Sequence, residues 1–160
     1  MLDTDAGLER ALAIAYPYLN SRERTHAEVR AHLRCRGIDP QNVERSIQAL
    51  ADHGHLDDAR FARLFVQDKR ELDGWGGERI RQTLLSRGID AELVQDALAD
   101  EHGDSEFERA LVVLRQRFPT RPRDRRDRER ALGMLLRKGY DADLALEAIA
   151  AHTVDADPVE

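Results

Sequence analysis

Three kinds of side chain in this sequence could support chemistry: a pair of carboxylates, a pair of imidazoles and one thiol. Asp57 and Asp58 could act as a general acid and base, but adjacent residues on a helix point apart, which favours capping of a helix start. His53 and His55 could bind a metal ion, but they lie in a predicted connector, which favours turn residues. Cys35 lies near a predicted helix C-terminus, where the helix dipole disfavours a nucleophilic thiolate. We therefore expect neither a catalytic residue nor a metal site.

The glycine-rich segment Gly74-Trp75-Gly76-Gly77 could hold a phosphate-containing cofactor. A phosphate-binding loop follows a strand and ends in Lys-Ser or Lys-Thr, and this segment has neither feature. A loop followed by a helix start is the favoured interpretation, so no cofactor is expected. Trp75 has two interpretations: it packs on the helix that follows, or it is an exposed contact for a partner.

Positive charge is concentrated in one part of the chain. The formal net charge is −6, which argues against a general nucleic-acid coat. From Arg115 to Lys138, however, ten basic residues outnumber three acids, which gives +7 for this segment and −13 for the rest. The segment is either a solvated connector and helix start or a contact for phosphates or an acidic protein surface. The arginines assigned to partner binding here are Arg123, Arg125, Arg126, Arg128 and Arg130.

Three glycines, Gly37, Gly88 and Gly139, are separated by a constant period of 51 residues, which is typical of a tandem array. A leucine lies four residues before each glycine and a basic residue lies directly before it, as expected where a helix ends. A residue suited to a helix start lies twelve positions upstream of each glycine. These predicted helix starts are Thr25, Gly76 and Asp127.

Each period contains three predicted helices, and no segment shows the sustained alternation of a strand. The predicted helices cover residues 8–19, 26–36, 40–53, 58–72, 77–87, 91–101, 106–117, 128–138 and 142–151. We expect an all-α fold of three tandem three-helix repeats that form an elongated, curved array of small cores. The predicted repeats cover residues 1–54, 55–103 and 104–152, followed by an acidic tail at 153–160. In the third repeat we assign both Leu135 and Leu136 to the core.

A three-helix unit with a short turn before its last helix invites comparison with helix-turn-helix proteins. The last helix of such proteins presents basic or amide side chains to the bases. Here the last helices are acidic, as Asp90, Glu92 and Asp96 illustrate. Basic residues lie on the middle helices, so that stacked repeats would have one positive edge suited to an extended partner. The residues assigned to partner binding there are Arg30, Arg34, Arg79, Arg81 and Arg87, together with Trp75 from the preceding loop.

A specific pattern of residues occupies the centre of the chain. It consists of Leu56-Asp57-Asp58-Ala59-Arg60-Phe61-Ala62, Phe65-Val66, Gly74-Trp75-Gly76, Arg79-Ile80, Leu84 and Arg87-Gly88-Ile89. This pattern resembles the central signature of the RecX family, regulators of the RecA recombinase. The length and the three-repeat arrangement also match, so the resemblance covers nearly the whole chain. Two positions depart from the family pattern, which tends to have Pro in place of Gly77 and a basic residue in place of Glu78.

The resemblance implies a non-enzymatic protein that binds the RecA filament along its helical groove and restrains its assembly and activity. DNA within the filament is a further candidate contact. Two other functions stay open: a DNA-binding protein that uses the segment from Arg115 to Lys138, and a helical scaffold for another acidic protein. DNA binding alone would weaken steeply with salt and would need no recombinase. No apolar run approaches the ~18 residues that cross a bilayer, and no signal peptide is evident, so we expect a cytoplasmic monomer.

Overall fold

The computed structural model describes the backbone of residues 2–99 and 104–154 and the side chains of residues 5–99 and 104–152. Within these ranges the chain forms helices and turns and contains no strand. The helices are α1 (Leu2–Ser21), α2 (His26–Cys35), α3 (Pro40–Asp52), α4 (Asp58–Glu71), α5 (Gly77–Ser86), α6 (Ala91–Ala99), α7 (Glu106–Arg117), α8 (Arg125–Lys138) and α9 (Ala142–Val154). This confirms the predicted all-α repeat fold. None of these helices is both long and apolar enough to cross a bilayer.

The middle helix of each repeat is closed by one of the periodic glycines. Gly37, Gly88 and Gly139 have left-handed φ angles of 78°, 83° and 98°. In all three turns, the residue after the glycine donates its N–H to the carbonyl of the leucine four residues before the glycine, at 3.1–3.2 Å. This is the hydrogen bond of a Schellman motif, and the two residues that it joins are buried in each repeat. The recurring leucine and glycine therefore act together as a helix-stop signal.

Polar caps set the starts of two of the middle helices, α2 and α8, and the start of α8 differs from the prediction. Thr25, a predicted helix start, forms a capping box: its hydroxyl accepts the N–H of Glu28 at 3.1 Å, and its own N–H donates to the Glu28 carboxylate at 3.1 Å. The predicted helix start at Asp127 is wrong, because α8 begins at Arg125. The carboxylate of Asp124 accepts the N–H of Asp127 at 2.8 Å and caps the helix before the periodic position is reached.

The first and last helices are longer than predicted. α1 begins at Leu2 rather than at residue 8, and it continues through Pro17 to Ser21. α9 extends to Val154 rather than ending at 151. The predicted repeat boundary at 103 and the acidic tail from residue 155 onward lie outside the described residues.

Apolar side chains of the three helices in the first and third repeats meet in two separate cores. The first core comprises Ala11, Ala15, Val29, Leu33, Ile38, Val43, Ile47 and Leu50 of the first repeat, together with Leu56, which follows the predicted boundary at 54. The core of the third repeat comprises Ala110, Leu111, Leu114, Ala131, Leu135, Tyr140, Ala145, Ala148 and Ile149. The assignment of Leu136 to the core is wrong, because its side chain is 44% exposed. Leu135 is buried instead, since successive residues on a helix point about 100° apart.

The described residues group into two compact units. The first comprises the residues up to Leu64 together with Leu84–Ala97, and the second comprises Phe65–Thr83 together with the residues from Leu98 onward. Residues of the predicted second repeat therefore belong to both units, whereas the helices of the first and third repeats each lie within one. The repeat boundaries at 54 and 103 stay predictions.

Candidate partner-binding surface

Within the first unit, the start of α2 contacts the end of α5. The Thr25 hydroxyl donates to the carbonyl of Arg87 at 2.9 Å. The guanidinium of Arg87 donates to the Glu28 carboxylate at 2.9 and 3.2 Å and lies 4.5 Å from the centre of the Phe61 ring. Burial alone raises the pKa of Glu28, but hydrogen bonds from Arg87 and the Thr25 N–H outweigh burial and lower this pKa. The charge of Arg87, a predicted partner-binding residue, is thus engaged within the chain.

Within the second unit, the start of α5 contacts the end of α8 in a corresponding way. The N–H of Gly76 donates to the Lys138 carbonyl at 2.8 Å, and the N–H of Glu78 donates to the Gly139 carbonyl at 3.1 Å. A Cβ atom on Gly76 would lie 2.5 Å from the backbone of Gly139, so only glycine permits this approach. The contact between a helix start and a helix end therefore recurs one period later.

The departure from the family pattern at Gly77 has a structural consequence in the second unit. Its N–H donates to the carboxylate of Glu106, which belongs to the first turn of α7. Proline has no N–H and could not form this hydrogen bond. Gly77 therefore links α5 to α7 in a way that the proline implied by the resemblance would not.

Trp75 is the centre of a cluster of cations and aromatic rings in the second unit. The Arg79 guanidinium lies 3.9 Å from the centre of the indole, the Lys69 ammonium 4.6 Å from it, and the Phe65 ring meets it edge-on at 6.4 Å. The indole is half-buried, and Arg79 also donates to the carbonyl of Arg137 at 3.2 Å. Trp75 therefore packs on a residue of α5, as one of its two interpretations expects, and its contact with a partner stays a prediction.

The other predicted residues of the middle helices differ in how their charges are compensated. Arg30 donates to the Glu44 carboxylate at 2.7 and 3.2 Å, and Arg81 donates to the Glu78 carboxylate at 2.9 and 3.2 Å. Arg34 is exposed and forms no ion pair within the described part of the chain. Because exposed ion pairs contribute little to stability, binding of an acidic partner by Arg30 or Arg81 would cost the fold little.

The predicted arginines of the third repeat are all exposed. Arg125 pairs with Glu129 one helical turn away at 2.8 Å, and Arg130 lies 3.6 Å from Asp127. The guanidinium of Arg130 also lies 6.0 Å from the centre of the Phe118 ring. The others, which form no ion pair with any residue that the structure describes, are Arg123, Arg126 and Arg128.

Two open grooves flank α8 in the second unit. The larger, of about 900 Å³, is lined by Arg121, Pro122, Arg123, Arg125, Arg128, Glu129, Leu132, Leu146, Ile149 and Ala150. The smaller, of about 390 Å³, is lined by Arg117, Phe118, Arg126, Glu129, Arg130, Gly133, Met134 and Arg137. The structure therefore brings Arg123, Arg125 and Arg128 to one groove, and it brings Arg126 and Arg130 to the other.

The two carboxylates considered for chemistry, Asp57 and Asp58, have structural contacts. Asp57 accepts an N–H of the first turn of α4 at 3.0 Å and caps this helix, as expected. Asp58 accepts both the backbone N–H of His26 at 3.0 Å and its imidazole at 3.2 Å. This side-chain hydrogen bond raises the pKa of His26 above its usual value, although burial opposes the change. No sequence pattern singles out His26, and the one signal for it is its position directly after the predicted helix start at Thr25. Among the described residues, no group of three or more metal-binding side chains occurs.

Two family models match the chain. One, described as the second three-helix domain of RecX, covers residues 57–98, and the other, described as the third three-helix domain of RecX, covers residues 104–149. Together they span more than half of the 160 residues. The matched ranges contain Trp75, the arginines of α5 and those around α8.

Similar proteins extend the match to most of the chain. The regulatory protein RecX of Halorhodospira halophila is 36% identical over 156 residues, which cover 97% of this chain and 96% of that protein. The regulatory protein RecX of Deinococcus radiodurans is 35% identical over 141 residues, which cover 88% of this chain and 67% of that protein. The crystal structure of RecX from Lactobacillus salivarius superimposes with a TM-score of 0.81 at 23% identity, covering 94% of this chain and 99% of that one. The last comparison shows a shared fold.

Proposed function

The chain belongs to the RecX family of regulatory proteins, and we propose that it binds the RecA–DNA filament along its helical groove and restrains the assembly and activity of that filament. The resemblance in the central signature supports this assignment of the partner. We infer that the protein is a cytoplasmic monomer and that it acts by binding rather than by catalysis. The structural use of Asp57 and Asp58 supports the last point, since both carboxylates hold helix starts.

The observation that carries this proposal is the exposure of arginines around α8. Arg30, Arg81 and Arg87 are paired with carboxylates within the chain. By contrast, three arginines around α8 are exposed and form no ion pair with any described residue. A filament that contains DNA presents phosphates together with acidic protein surface, and an arginine donates well to both. The third repeat thus has charges available for such a partner in a chain whose net charge is −6.

The direct test is ATP hydrolysis by RecA filaments on single-stranded DNA, measured with and without this protein. We expect hydrolysis to fall as the protein is added, because RecA hydrolyses ATP as an assembled filament and the protein restrains assembly. Filaments formed before the protein is added should be compared with filaments assembled in its presence. An effect on assembly alone would leave ATP hydrolysis by the pre-formed filaments unchanged. Unchanged hydrolysis at several-fold excess of the protein over RecA would contradict the proposal.

Direct DNA binding and a scaffold role predict different results. A DNA-binding protein would bind single-stranded DNA without RecA, with an affinity that falls steeply as salt rises. A scaffold for another acidic protein would leave RecA activity unaffected. Measuring the binding of labelled single-stranded DNA at several salt concentrations, with and without RecA, separates these alternatives from the proposed function.

A further inference from the structure

The larger groove beside α8 has a basic rim. Its rim includes the connector that joins α7 to α8, in which Pro122 is buried and fixes the backbone between Arg121 and Arg123. Arg125 and Arg128 extend the rim along the first turns of α8. Proline fixes its own φ angle and restricts the residue before it, Arg121, to extended conformations.

The groove carries an excess of positive charge. Four arginines line it against a single acid, Glu129, which gives a local charge of +3. Arg125 is paired with that acid at 2.8 Å. Arg123 and Arg128 are exposed and form no ion pair with the residues that the structure describes. The groove therefore has two uncompensated guanidinium groups for carboxylates from elsewhere.

Aliphatic side chains also line the same groove. Leu132, Leu146 and Ile149 contribute to it from α8 and α9, and Leu146 is 52% exposed. No aromatic side chain occurs among the described residues that line it. Single-stranded nucleic acids are held by stacking of bases on aromatic rings along a basic groove. Aliphatic side chains together with arginines instead suit a protein segment that combines carboxylates with aliphatic side chains.

We propose that this groove binds a short acidic protein segment that carries at least one aliphatic side chain. Carboxylates of the segment bind Arg123 and Arg128, and the aliphatic side chain packs on Leu146 and Leu132. The groove volume of about 900 Å³ lies within the range of small-ligand sites. This inference is independent of the identity of the regulated protein, because it specifies the chemistry of one bound segment only.

The test uses the full chain and a fluorescein-labelled hexapeptide of alternating aspartate and leucine, with binding measured by fluorescence anisotropy. We expect saturable binding that weakens at least tenfold in Arg123→Glu/Arg128→Glu and at least fivefold in Leu146→Asp. The hexapeptide with asparagine in place of aspartate should bind at least tenfold more weakly to the unchanged protein. Because all three altered side chains are exposed, the variants should keep the helical circular dichroism of the parent. Arg123→Gln/Arg128→Gln repeats the test with a smaller change of charge, because glutamine removes the positive charge without adding a negative one.

The matched control is Arg22→Glu/Arg63→Glu, which makes the same change of charge at two exposed arginines outside the groove. This variant should bind the acidic hexapeptide within twofold of the parent. An equal loss in the control variant would overturn the proposal by showing that only net charge matters. Tighter binding of a thymidine hexanucleotide than of the peptide, lost with the same arginines, would assign the groove to nucleic acid instead. Since RecA is absent from these measurements, failure of the proposed RecA regulation would leave the peptide result unaffected.

Discussion

The carboxylate of Glu28 receives two hydrogen bonds from the guanidinium of Arg87, at 2.9 and 3.2 Å, although the two residues are 59 positions apart in sequence. The two side chains are only 19% and 23% exposed, and Glu28 also accepts the backbone N–H of Thr25 at 3.1 Å. One carboxylate therefore completes the capping box of α2 and joins the start of α2 to the end of α5.

We expect Glu28 and Arg87 to be energetically coupled in the free energy of unfolding. Glu28→Gln removes the charge and keeps an acceptor for the Thr25 N–H, while Arg87→Met keeps an apolar stem beside Phe61. Each single change should cost about 1–2 kcal/mol, since each leaves a largely buried polar group with a poorer partner. The double variant should cost about 1 kcal/mol less than the sum. Urea unfolding followed by circular dichroism measures all four proteins.

The more exposed pair Arg30 and Glu44 provides the control for this cycle. Its side chains are 33% and 55% exposed, and it has the same two hydrogen bonds of bidentate type. Because solvent screens exposed pairs, the equivalent cycle should give a coupling below about 0.5 kcal/mol. Equal coupling in the two cycles would show that burial does not strengthen the contact between Glu28 and Arg87.

Helix ends could be predicted from the sequence because their determinants are local. Leu84, Gly88 and Ile89 form the complete stop signal of α5 within six residues, and the same spacing recurs in each period. The start of α8 could not be copied from the other repeats in the same way. Asp124 competes with the periodic position Asp127 and caps the helix one turn earlier. A period predicts where equivalent residues lie, but a nearby cap decides where the helix begins.

Alanine substitutions at Gly88 and Gly37 separate two energetic costs. One is the cost of disturbing the contact between α2 and α5, and the other is the cost of backbone strain. Both have left-handed φ angles, 83° and 78°. A Cβ atom on Gly88 would overlap the Cβ of Ala27, whereas one on Gly37 would meet no atom within 4 Å. Gly37→Ala should therefore cost about 1–2 kcal/mol from strain alone, and Gly88→Ala should cost about 1–3 kcal/mol more from overpacking.

Thermal unfolding of both alanine variants checks this difference, and Ala27→Gly provides the rescue. In the Ala27→Gly background, the added cost of Gly88→Ala should fall toward that of Gly37→Ala, because the overlapping methyl group is gone. Equal costs for the two glycine variants in the parent background would mean that the contact adjusts without strain.

The pKa values of His26 and His32 should be shifted in opposite directions from the usual imidazole pKa. The hydrogen bond to Asp58 raises the pKa of His26, so the stability from this contact is complete below about pH 6.5 and is lost as pH rises through the folded-state pKa. Burial, together with the charges of Arg36 and Arg24, lowers the pKa of His32. The contribution of His32 is therefore present above about pH 6.5 and is lost as pH falls through its folded-state pKa.

Nuclear magnetic resonance titration of the two imidazole rings gives both values in one experiment. Replacing Asp58 by Asn should lower the pKa of His26 and leave that of His32 unchanged. Identical titration of the two rings in the parent protein would contradict the structural assignment of the contact between His26 and Asp58.

The sequence predicts which arginines the candidate surface contains, but it does not predict how they are arranged or which of them are paired within the chain. The density of arginines around α8 is a property of the sequence, and the exposure of Arg123, Arg126 and Arg128 agrees with it. Their division between two grooves depends on the place where α8 begins and on the packing of α9, which no local pattern specifies. The engagement of Arg87 by Glu28 likewise depends on contacts between distant segments.

Charge reversal at four arginines around α8 tests their role in the proposed function. The variant Arg123→Glu/Arg125→Glu/Arg126→Glu/Arg130→Glu should weaken the inhibition of RecA-filament ATP hydrolysis, because it replaces attraction with repulsion toward phosphates and acidic surface. Exposed charges contribute little to folding, so its thermal midpoint should stay close to that of the parent. The loss should appear first in the association rate and should shrink as salt rises, since charges at the edge of an interface mainly accelerate encounter.

The matched control reverses four other exposed arginines and so gives the same net charge. These are Arg10, Arg22, Arg36 and Arg63. Association kinetics with RecA filaments at low and high salt should show a larger loss for the α8 variant than for this control. If the α8 variant associates at the parental rate at low salt, its four arginines belong to a solvated segment. Binding would then have to come from the middle-helix residues, of which Arg34 is exposed and forms no ion pair with the described residues.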